Sequence, residues 1–464
     1  MQYVSTRGSA PALDFEQVVL TGLARDGGLY VPETWPALDM SSLGGLSYSA
    51  LATRVMLPYV ADTIPEGDFA GLVEEAYRVP DVFHQAAVTP LRQLDANEWL
   101  LELFHGPTLA FKDVALQLLG RLFEYLLARR GDKITIVGAT SGDTGSAAIE
   151  ACRDRENIQI FMLHPAGRVS DVQRRQMTTV ASDNVINIAV EGTFDDCQAH
   201  VKSMFNDLAF RDRLKLGAVN SINWARVMAQ IVYYVQAALA LGARADRPID
   251  FSVPTGNFGD VFAGYVAAQM GVPIGNLIVA TNINDILSRA LNQGDYSCGD
   301  VQPTTSPSMD IQVSSNFERL LFDLYDRDGD AVKSLMQRFF QARALEIGPD
   351  QLARAAKQFS ATRVDEGETK ATIADVMTDS GVLIDPHSAV GVAAARAAQR
   401  DPAVPLVTLA TAHPAKFPDA VEAATGIRPP LPSHLADLFE RPEQFETLPN
   451  DLGAIQSFIE TRAI

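Results

Sequence analysis

Residues 134–148 read ITIVGATSGDTGSAA, and they show in one place the strand, turn and helix pattern from which the fold class can be predicted. A run rich in β-branched residues ends in a turn of small residues, and a helix-forming segment follows. Small side chains let the backbone approach a ligand closely, and the amides of a helix N-terminus favour a carboxylate or a phosphate. The stretch lacks the lysine of a P-loop and does not fit GxGxxG, so a plain tight connection is an equally open interpretation. Both interpretations predict an α/β unit.

The strand, turn and helix pattern repeats on both sides of this stretch. Short β-rich runs alternate with helical segments, which predicts parallel sheets covered by helices. The runs are residues 99–104, 133–137, 158–163, 185–190, 250–253, 277–280 and 405–410. Residues 315–400 are helical in character. We therefore expect an α/β protein with two parallel-sheet domains that carry helices on both faces.

Glycine and proline breaks suggest where the domains begin and end. Residues 1–95 mix short helical patterns with such breaks, which predicts a mainly helical accessory domain. Residues 431–464, which are rich in proline, are predicted to form a C-terminal wrap of short helices.

Composition excludes several classes of protein. The chain has 464 residues, of which 47% are apolar and 20% charged, which is typical of a globular protein with large cores. Its formal net charge of -19 opposes non-specific binding to nucleic acid or to an anionic membrane. No stretch has the length of a membrane span or the pattern of a secretory signal, so we predict a cytoplasmic protein. Three widely separated cysteines without a Cys/His pattern predict no metal site.

One lysine is a candidate for covalent catalysis. Residues 105–113 read HGPTLAFKD, which puts Lys112 in apolar, turn-rich sequence directly before a strongly amphipathic helix. Apolar surroundings and the positive end of a helix both disfavour the charged form of an amine, and the neutral amine is the nucleophile. An ordinary solvated lysine near a helix start explains this segment equally well.

A second glycine-containing turn resembles the first in design. Residues 249–260 read IDFSVPTGNFGD, and a helix is predicted over 261–270. Gly256 and Gly259 flank two residues in this turn, so its amides can surround an anion at the positive end of the helix.

A third strand end carries polar side chains. Residues 406–418 read LVTLATAHPAKFP, where a strand delivers Thr411, His413 and Lys416 into one loop. A buried threonine bonded to its own backbone and a structural histidine are the plain interpretations. Each of these segments is weak evidence by itself.

Together the segments around Lys112 and in the three turns resemble the fold-type II family of pyridoxal-phosphate enzymes and, within it, the threonine synthase family. The resemblance covers most of the chain. The sequences YVSTRG at 3–8 and GLARDGGLYVP at 22–32 are typical of threonine synthases that carry an extra N-terminal domain. The resemblance implies a tryptophan-synthase-β-like fold with that accessory domain. In this fold, residues 96–114 and 240–430 would form a large domain that binds pyridoxal phosphate, and residues 115–239 a small α/β domain.

The same resemblance implies a lyase that uses pyridoxal 5'-phosphate to convert O-phospho-L-homoserine and water to L-threonine and phosphate, the last step of threonine biosynthesis. Lys112 would hold the cofactor as a Schiff base and then act as the base at Cα. Asp260 would order the phosphate-binding turn or cap the following helix, and Thr411 would face the pyridine nitrogen. The implied cofactor contacts are Lys112, Gly256, Asn257, Phe258, Gly259, Asp260 and Thr411.

Substrate binding is implied at two places. The substrate carboxylate would lie on the first turn, at Thr140, Ser141, Gly142, Asp143 and Thr144. The substrate phosphate needs basic side chains or another helix end, and the candidates are Ser221, Asn223, Arg226 and Lys416, with Arg168 and Arg174 as further basic residues. Each of these could instead be a surface charge or a helix cap.

Asp143 departs from the wider fold family, many of whose members have asparagine there. An aspartate donates a hydrogen bond only if it is protonated, so the sequence leaves its protonation state open. His413 is a candidate proton relay, a residue that orients Lys416, or a structural histidine.

Two alternatives stay open on sequence alone. The cofactor apparatus can serve another amino-acid dehydratase or replacement reaction, although Asp143 and the N-terminal domain argue against it. The chain can also be a catalytically silent threonine-synthase-like protein, although Lys112 and the three turns are intact. Monomer and homodimer are both possible, and the expected partner is a small molecule.

Overall fold

The computed structural model describes residues 1–463, which form two compact units. Unit 1 consists of Met1–Val18, Gly22–Phe111 and Ser221–Pro430. Unit 2 consists of Val19–Thr21, Lys112–Asn220 and the segment from Leu431 onward. The predicted boundaries of four domains stay a prediction.

The helices follow one another along the chain. They are α1 (Phe15–Thr21), α2 (Tyr48–Val60), α3 (Glu66–Ala76), α4 (Lys112–Arg130), α5 (Asp143–Cys152), α6 (Asp171–Thr178), α7 (Phe194–Asn206), α8 (Leu208–Arg213), α9 (Trp224–Ala240), α10 (Gly259–Gln269), α11 (Ile286–Gln293), α12 (Phe317–Leu324), α13 (Gly329–Ala342), α14 (Pro349–Ala355), α15 (Glu366–Ser380), α16 (Pro386–Ala397), α17 (Pro418–Thr425) and α18 (Leu452–Glu460).

The strands are β1 (Tyr3–Ser5), β2 (Tyr30–Pro32), β3 (Leu91–Asp95), β4 (Glu98–Glu102), β5 (Ile134–Ala139), β6 (Ile158–Pro165), β7 (Val185–Glu191), β8 (Leu216–Gly217), β9 (Ile249–Pro254), β10 (Ile274–Thr281), β11 (Asp295–Ser297), β12 (Ala344–Glu346), β13 (Phe359–Arg363), β14 (Leu406–Ala410) and β15 (Glu446–Pro449).

Unit 1 contains a six-stranded sheet in the order β13-β10-β9-β14-β4-β3. Its strands are parallel except β3, which pairs antiparallel with β4. All residues of β9 and β14 are buried, as expected for a parallel sheet with both faces covered. Leu406 of β14 lies opposite Asp250 of β9 and Glu98 of β4. The carboxyl ends of these three strands therefore lie along one edge, where the loops after them meet.

Unit 2 contains a parallel five-stranded sheet in the order β15-β7-β6-β5-β8. All eight residues of β6 are buried, so the sheet is covered on both faces. The chain proceeds from β5 to β6 and β7 on one side and returns to β8 on the other side. This reversal makes the carboxyl end of β5 a topological switch point, where open parallel sheets bind ligands. The turn after β5 is the stretch quoted first above.

The predicted α/β class is confirmed. Each of the seven predicted β-rich runs overlaps a strand, and these strands are β4, β5, β6, β7, β9, β10 and β14. The segment 315–400 is mainly helical, as predicted, with α12 to α16, but it also contains β12 and β13, and β13 extends the first sheet beside β10. The C-terminal segment contains α18 and, in addition to the predicted helices, β15 beside β7. β13 and β15 each pair with a neighbour formed elsewhere in the chain, so their conformation depends on an available sheet edge more than on local pattern.

Candidate active site

Lys112 is the first residue of α4 and is only 8% exposed. Its Nζ lies 3.8 Å from Oδ2 of Asp143, which is the first residue of α5. The alternative interpretation of Lys112 as an ordinary solvated lysine is therefore wrong. A carboxylate at ion-pair distance favours the ammonium form, whereas burial opposes it. The charge of this amine thus depends on its neighbours in unit 2.

Asp143 is held from its other oxygen by Gln173. The side-chain amide of Gln173 donates from Nε2 to Oδ1 of Asp143 at 2.8 Å. Ser170, the N-cap of α6, donates from Oγ to Oε1 of Gln173 at 2.9 Å. Both carboxylate oxygens of Asp143 therefore face a donor or a cation.

The turn after β5 is built by a threonine side chain. Oγ1 of Thr140 accepts from the amides of Gly142 and Gly145, both at 2.9 Å. Gly142 has φ 142°, and a Cβ there would lie 2.6 Å from Oε1 of Gln173, so only glycine fits. Within residues 1–463, the amides of Ser141 and Thr144 donate to no protein acceptor. The turn thus has free donors at the start of α5, as anion binding requires.

The turn between β9 and α10 presents a larger set of free amides. Phe258, the N-cap of α10, has the left-handed conformation with φ 62°. The amides of Gly256, Asn257, Phe258 and Gly259 have no acceptor in the described part of the chain. Successive amides around a left-handed residue at a helix N-terminus form an anion-binding nest.

Ser314 and Asn316 donate hydrogen bonds to the backbone carbonyl groups of the same turn. Oγ of Ser314 donates to the carbonyl oxygen of Gly256 at 2.7 Å. The backbone N and side-chain Nδ2 of Asn316 donate to the carbonyl oxygen of Asn257 at 3.1 Å and 3.0 Å. Because the carbonyl groups are bound on one side, the amides face the other. A Cβ on Gly256 would lie 2.8 Å from the carbonyl oxygen of Ser308. The turn therefore fits a phosphate group, such as that of pyridoxal phosphate.

Thr411 follows β14 directly and is connected to the lysine motif through the backbone. Its carbonyl oxygen accepts from the amide of Phe111 at 2.8 Å, and Ala110 forms an isolated antiparallel bridge with Ala412. The Thr411 hydroxyl makes no hydrogen bond to any described residue. The interpretation of a threonine bonded to its own backbone is therefore wrong, and the hydroxyl is available to a ligand.

Lys416 is 1% exposed, and its Nζ donates to the carbonyl oxygen of Thr108 at 2.7 Å. Leu109, the next residue, has a left-handed backbone with φ 61°, which is costly for a leucine. Lys416 thus holds the backbone of the segment that leads to Lys112. Its predicted contact with the substrate phosphate stays a prediction.

The predicted substrate residues Ser221 and Asn223 lie at the start of α9. Oδ1 of Asn223 accepts from the amide of Ala225 at 3.1 Å, so the alternative interpretation of Asn223 as a helix cap is correct. Oγ of Ser221 lies 3.0 Å from Oγ of Ser315. Ser221 is thereby connected to the segment behind the turn at 256–259.

Arg226 lies in the first turn of α9 and is 6% exposed. Burial lowers its pKa to about 10, although the nearby carboxylate of Asp260 opposes this shift. Its guanidinium makes no hydrogen bond within residues 1–463. Asp260 lies in the first turn of α10, behind the N-cap Phe258, so it is not the helix cap. A buried guanidinium with five unused donors is a candidate for binding an anion.

The other two arginines considered as phosphate clamps have different surroundings. Arg174 donates to Glu443 at 2.8 Å and to Asp171 at 2.6 Å, so its guanidinium is already paired. Arg168 is exposed. Neither residue offers a buried, unpaired cation.

His413 is a partly buried histidine whose ring is neutral at pH 7. Burial, reinforced by the nearby His105, lowers its pKa from 6.5 to about 4. Its Nδ1 accepts from the amide of Ala415 at 3.1 Å and so caps the short 3₁₀ helix Pro414–Lys416. These contacts favour the structural interpretation of His413.

The shifted pKa of His413 predicts an acid-sensitive stability. The folded protein keeps the ring neutral, so the contribution of His413 to stability is fully present above pH 6.5 and is lost as pH falls towards about 4. His413→Asn retains a capping oxygen without the titration. We expect the drop in unfolding temperature between pH 7 and pH 5 to be smaller in this variant than in the wild type. Equal drops would contradict the assignment.

Sequence reasoning missed two groups of residues. Gln173 is 30 positions from Asp143 along the chain, and residues 314–316 are 58 positions or more from their partners in the turn at 256–257. Ser314 and Asn316 precede α12, so their types suggest only a helix start. No local pattern identifies a side chain that serves a distant loop.

Among residues 1–463, the structure contains neither a candidate metal centre nor a helix that could span a membrane. No group of three or more histidine, cysteine, aspartate or glutamate side chains there is arranged to hold a metal ion. None of the helices in that range is both long enough and apolar enough to cross a membrane.

Family models match three consecutive parts of the chain. They are described as "Threonine synthase N terminus" over residues 2–77, "Pyridoxal-phosphate dependent enzyme" over residues 82–349 and "Threonine synthase, C-terminal" over residues 388–459. The second model alone covers more than half of the 464 residues.

Known proteins resemble the chain over its full length. A threonine synthase of Pseudomonas aeruginosa is 58% identical over 99% of this chain and 98% of its own. A crystal structure of threonine synthase from Brucella melitensis with bound pyridoxal phosphate has 55% identity and a TM-score of 0.97, and the match covers 100% of this chain and 99% of that one. The structure of the yeast threonine synthase has 41% identity and a TM-score of 0.94, over 99% and 98% of the two chains.

Proposed function

The chain belongs to the threonine synthase family of pyridoxal-phosphate-dependent enzymes, and we propose that Lys112 is the cofactor-binding lysine and base of its reaction. The reaction is the conversion of O-phospho-L-homoserine and water to L-threonine and phosphate, catalysed by a lyase of threonine biosynthesis. The observation that carries the assignment of Lys112 is a buried amine at the start of a helix, 3.8 Å from the carboxylate of Asp143.

The cofactor is proposed to bind through its phosphate to the amides of Gly256, Asn257, Phe258 and Gly259. When bound, pyridoxal phosphate withdraws electrons from the substrate's Cα and Cβ and so makes their protons removable. Nζ of Lys112 then takes the proton from Cα. Asp143 keeps this amine oriented and adjusts the ease with which it gains and loses a proton.

Thr411 is proposed to donate or accept a neutral hydrogen bond at the pyridine nitrogen. A hydroxyl cannot stabilise a full positive charge there as a carboxylate does, so the ring nitrogen need not be protonated. The free Thr411 hydroxyl supports this role. On the substrate side, the amides of Ser141 and Thr144 are proposed to bind the carboxylate, since they lie at the positive end of α5.

The leaving phosphate requires a second anion site. Arg226 is the best-supported candidate, because its guanidinium is buried and has unused donors, whereas Arg174 is paired and Arg168 is exposed. Ser221 and Asn223, just before Arg226, are proposed to complete the site. Lys416 stays a candidate that the hydrogen bond to Thr108 makes less favourable.

The direct test of the function measures inorganic phosphate and threonine together. The purified protein with added pyridoxal phosphate should release both from O-phosphohomoserine in a one-to-one ratio. If the cofactor binds and no phosphate forms, but serine or threonine is converted to a 2-oxo acid and ammonia, the chain is the alternative dehydratase. If the cofactor binds and none of these substrates is converted, the chain is the catalytically silent homologue.

A substitution of Arg226 tests the substrate-phosphate site. Loss of a charged hydrogen bond costs about 1.5 to 3 kcal/mol, so we expect Arg226→Gln to raise the KM for O-phosphohomoserine by about 10- to 100-fold. Cofactor affinity should stay near the wild-type value. The matched control is Arg168→Gln, because Arg168 is exposed and should leave KM unchanged. If cofactor affinity falls while KM is unchanged, Arg226 serves the cofactor phosphate instead.

We further propose that the enzyme is a monomer or a homodimer and works in the cytoplasm. The net charge of -19 supports the absence of nucleic-acid and membrane partners. Light scattering coupled to size-exclusion chromatography measures the oligomeric state, and a tetramer or larger assembly would contradict the proposal. Cell fractionation tests the location.

A further inference from the structure

We propose that Asn316 is a positioning residue that ties the phosphate-binding turn at 256–259 to the substrate segment at Ser221, and that Arg319 fixes its orientation. The inference rests on the proposed cofactor role of this turn. Asn316 is the N-cap of α12, and Arg319 lies in the first turn of this helix. Neither residue belongs to a motif identified in the sequence.

Asn316 is fully buried and donates to two separate segments of unit 1. Its Nδ2 donates to the carbonyl oxygen of Asn257 at 3.0 Å and to that of Ser221 at 3.1 Å. Its backbone amide also donates to the carbonyl oxygen of Asn257, at 3.1 Å. The NH₂ group therefore donates both of its hydrogens to backbone carbonyls, one in the phosphate-binding turn and one in the substrate segment. A shift of either segment must move or break a bond to the other.

Arg319 fixes which way the Asn316 amide points. The guanidinium donates from Nη1 to Oδ1 of Asn316. Because an arginine can only donate, the asparagine oxygen must face Arg319 and the nitrogen must face the two carbonyls. The same guanidinium donates to the carbonyl oxygens of Tyr30, at 2.9 Å and 3.1 Å, and Ile222, at 2.6 Å. Ile222 is the residue next to Ser221, so Arg319 holds the substrate segment directly as well.

Ser314 and Ser315, the two residues before Asn316, contact the same two segments. Ser314 binds the carbonyl of Gly256, and Ser315 has its Oγ 3.2 Å from Oδ1 of Asn257 and 3.0 Å from Oγ of Ser221. Each of the three consecutive residues 314–316 thus contacts the phosphate-binding turn, and two of them also contact the substrate segment. Asn316 is fully buried and its side-chain amide donates to both segments, so its hydrogen bonds are costly to leave unmade.

This arrangement sets the position of the phosphate-binding amides relative to the substrate segment. Ser314 and Asn316 hold the carbonyl groups of Gly256 and Asn257, and this contact fixes the position of the turn that carries the phosphate-binding amides. Loss of the Asn316 bonds should therefore weaken cofactor binding and substrate binding together. A residue with a merely structural role would lower stability without this joint effect.

The test uses Asn316→Asp in the full-length protein. The aspartate keeps its bond to Arg319 but replaces the NH₂ donor with an acceptor that faces two carbonyl oxygens. We expect the dissociation constant of pyridoxal phosphate, measured by absorbance titration of the apoenzyme, to rise at least about tenfold, and the KM for O-phosphohomoserine to rise as well. An unchanged cofactor dissociation constant would overturn the inference.

Val73→Ala is the stability control. Val73 is a fully buried residue of α3 in the same unit, and its substitution leaves a cavity away from both segments. It should lower the unfolding temperature without changing cofactor affinity. If Val73→Ala and Asn316→Asp weaken cofactor binding equally, the effect is one of stability alone and the inference fails.

Hydrogen exchange of the wild type gives a measurement that does not depend on a variant. Addition of pyridoxal phosphate to the apoenzyme should slow exchange in residues 256–260 and also in residues 220–223. Protection of the first segment without the second would overturn the inference, even if Asn316→Asp does not fold.

Gly256→Ala separates this inference from the cofactor assignment on which it rests. A Cβ there would lie 2.8 Å from the carbonyl oxygen of Ser308, so the turn must shift. If Gly256→Ala leaves cofactor affinity unchanged, the turn is not the phosphate site and the proposed function of these residues fails. If Gly256→Ala weakens cofactor binding and Asn316→Asp does not, only the role of Asn316 fails.

Discussion

Lys112→Ala abolishes phosphate release from O-phosphohomoserine, with an expected fall in kcat of about 10³-fold or more, because the base at Cα is lost. The visible absorbance of the bound cofactor should disappear with it, since the covalent attachment needs the Nζ amine. Lys112→Arg is expected to fail equally. It restores a cation beside Asp143, but a guanidinium neither attaches the cofactor nor gives up a proton near neutral pH.

Lys133→Ala is the matched control, because Lys133 is an exposed lysine just before β5. It should retain wild-type activity and absorbance. Unfolding temperatures of all three variants should be measured beside activity, because removal of Lys112 leaves the buried Asp143 without its cation. More than a tenth of wild-type activity in Lys112→Arg would show that the covalent role belongs to another group.

Gly120→Ala is expected to cost the most stability of any single methyl addition that we consider. Gly120 of α4 faces Ala151 of α5, and a Cβ on it would lie 2.1 Å from the carbonyl oxygen and 2.8 Å from the carbonyl carbon of Ala151. Both atoms are backbone, so they cannot turn aside as a flexible side chain does. The two helices must separate, and overpacking of this kind costs about 3 kcal/mol.

The same substitution should also reduce activity in the protein that remains folded. Gly120 lies about two helical turns after Lys112, and Ala151 lies about two turns after Asp143. Separation of α4 from α5 therefore lengthens the distance between Lys112 and Asp143. The measurements are the unfolding temperature, the cofactor absorbance and kcat at a temperature well below unfolding.

Gly71→Ala supplies the control for this prediction. Gly71 is also inside a helix, α3, and a Cβ there would meet no atom within 4 Å. Alanine is the better helix former by about 1 kcal/mol, so this variant should be as stable as the wild type or more stable. If Gly120→Ala behaves like Gly71→Ala, the close approach of α4 and α5 is not what requires the glycine.

Local pattern predicted the strands that are buried on both faces. The eight buried residues of β6 and the six of β9 are mainly apolar, although Gln159 and His164 interrupt the first run and Asp250 and Ser252 the second. The edge strands β13 and β15 carry no such run. In β15 three of four residues are exposed, so only its pairing with β7 makes it a strand. Burial imposes a pattern on the sequence, whereas pairing at an edge does not.

The candidate site shows the same division. The motif around Lys112 and the small residues of the two turns are visible in sequence, because covalent chemistry needs one residue type and close backbone approach needs glycine. The contacts of Gln173 with Asp143, of Asn316 with Asn257 and of Lys416 with Thr108 are not visible. Each is an ordinary polar residue whose partner is brought near by packing.

The family, the α/β class, the buried strands and the residue types that can carry the chemistry are therefore all predictable from the sequence. The burial of Lys112 beside Asp143, the capping role of Asn223, and the contrast between the buried Arg226 with unused donors and the paired Arg174 become visible only in the folded chain. The two kinds of information differ in range. Backbone preference and periodicity act over a few residues and leave a local record, whereas burial, ion pairing and the direction of a free amide depend on segments that meet only in the folded chain.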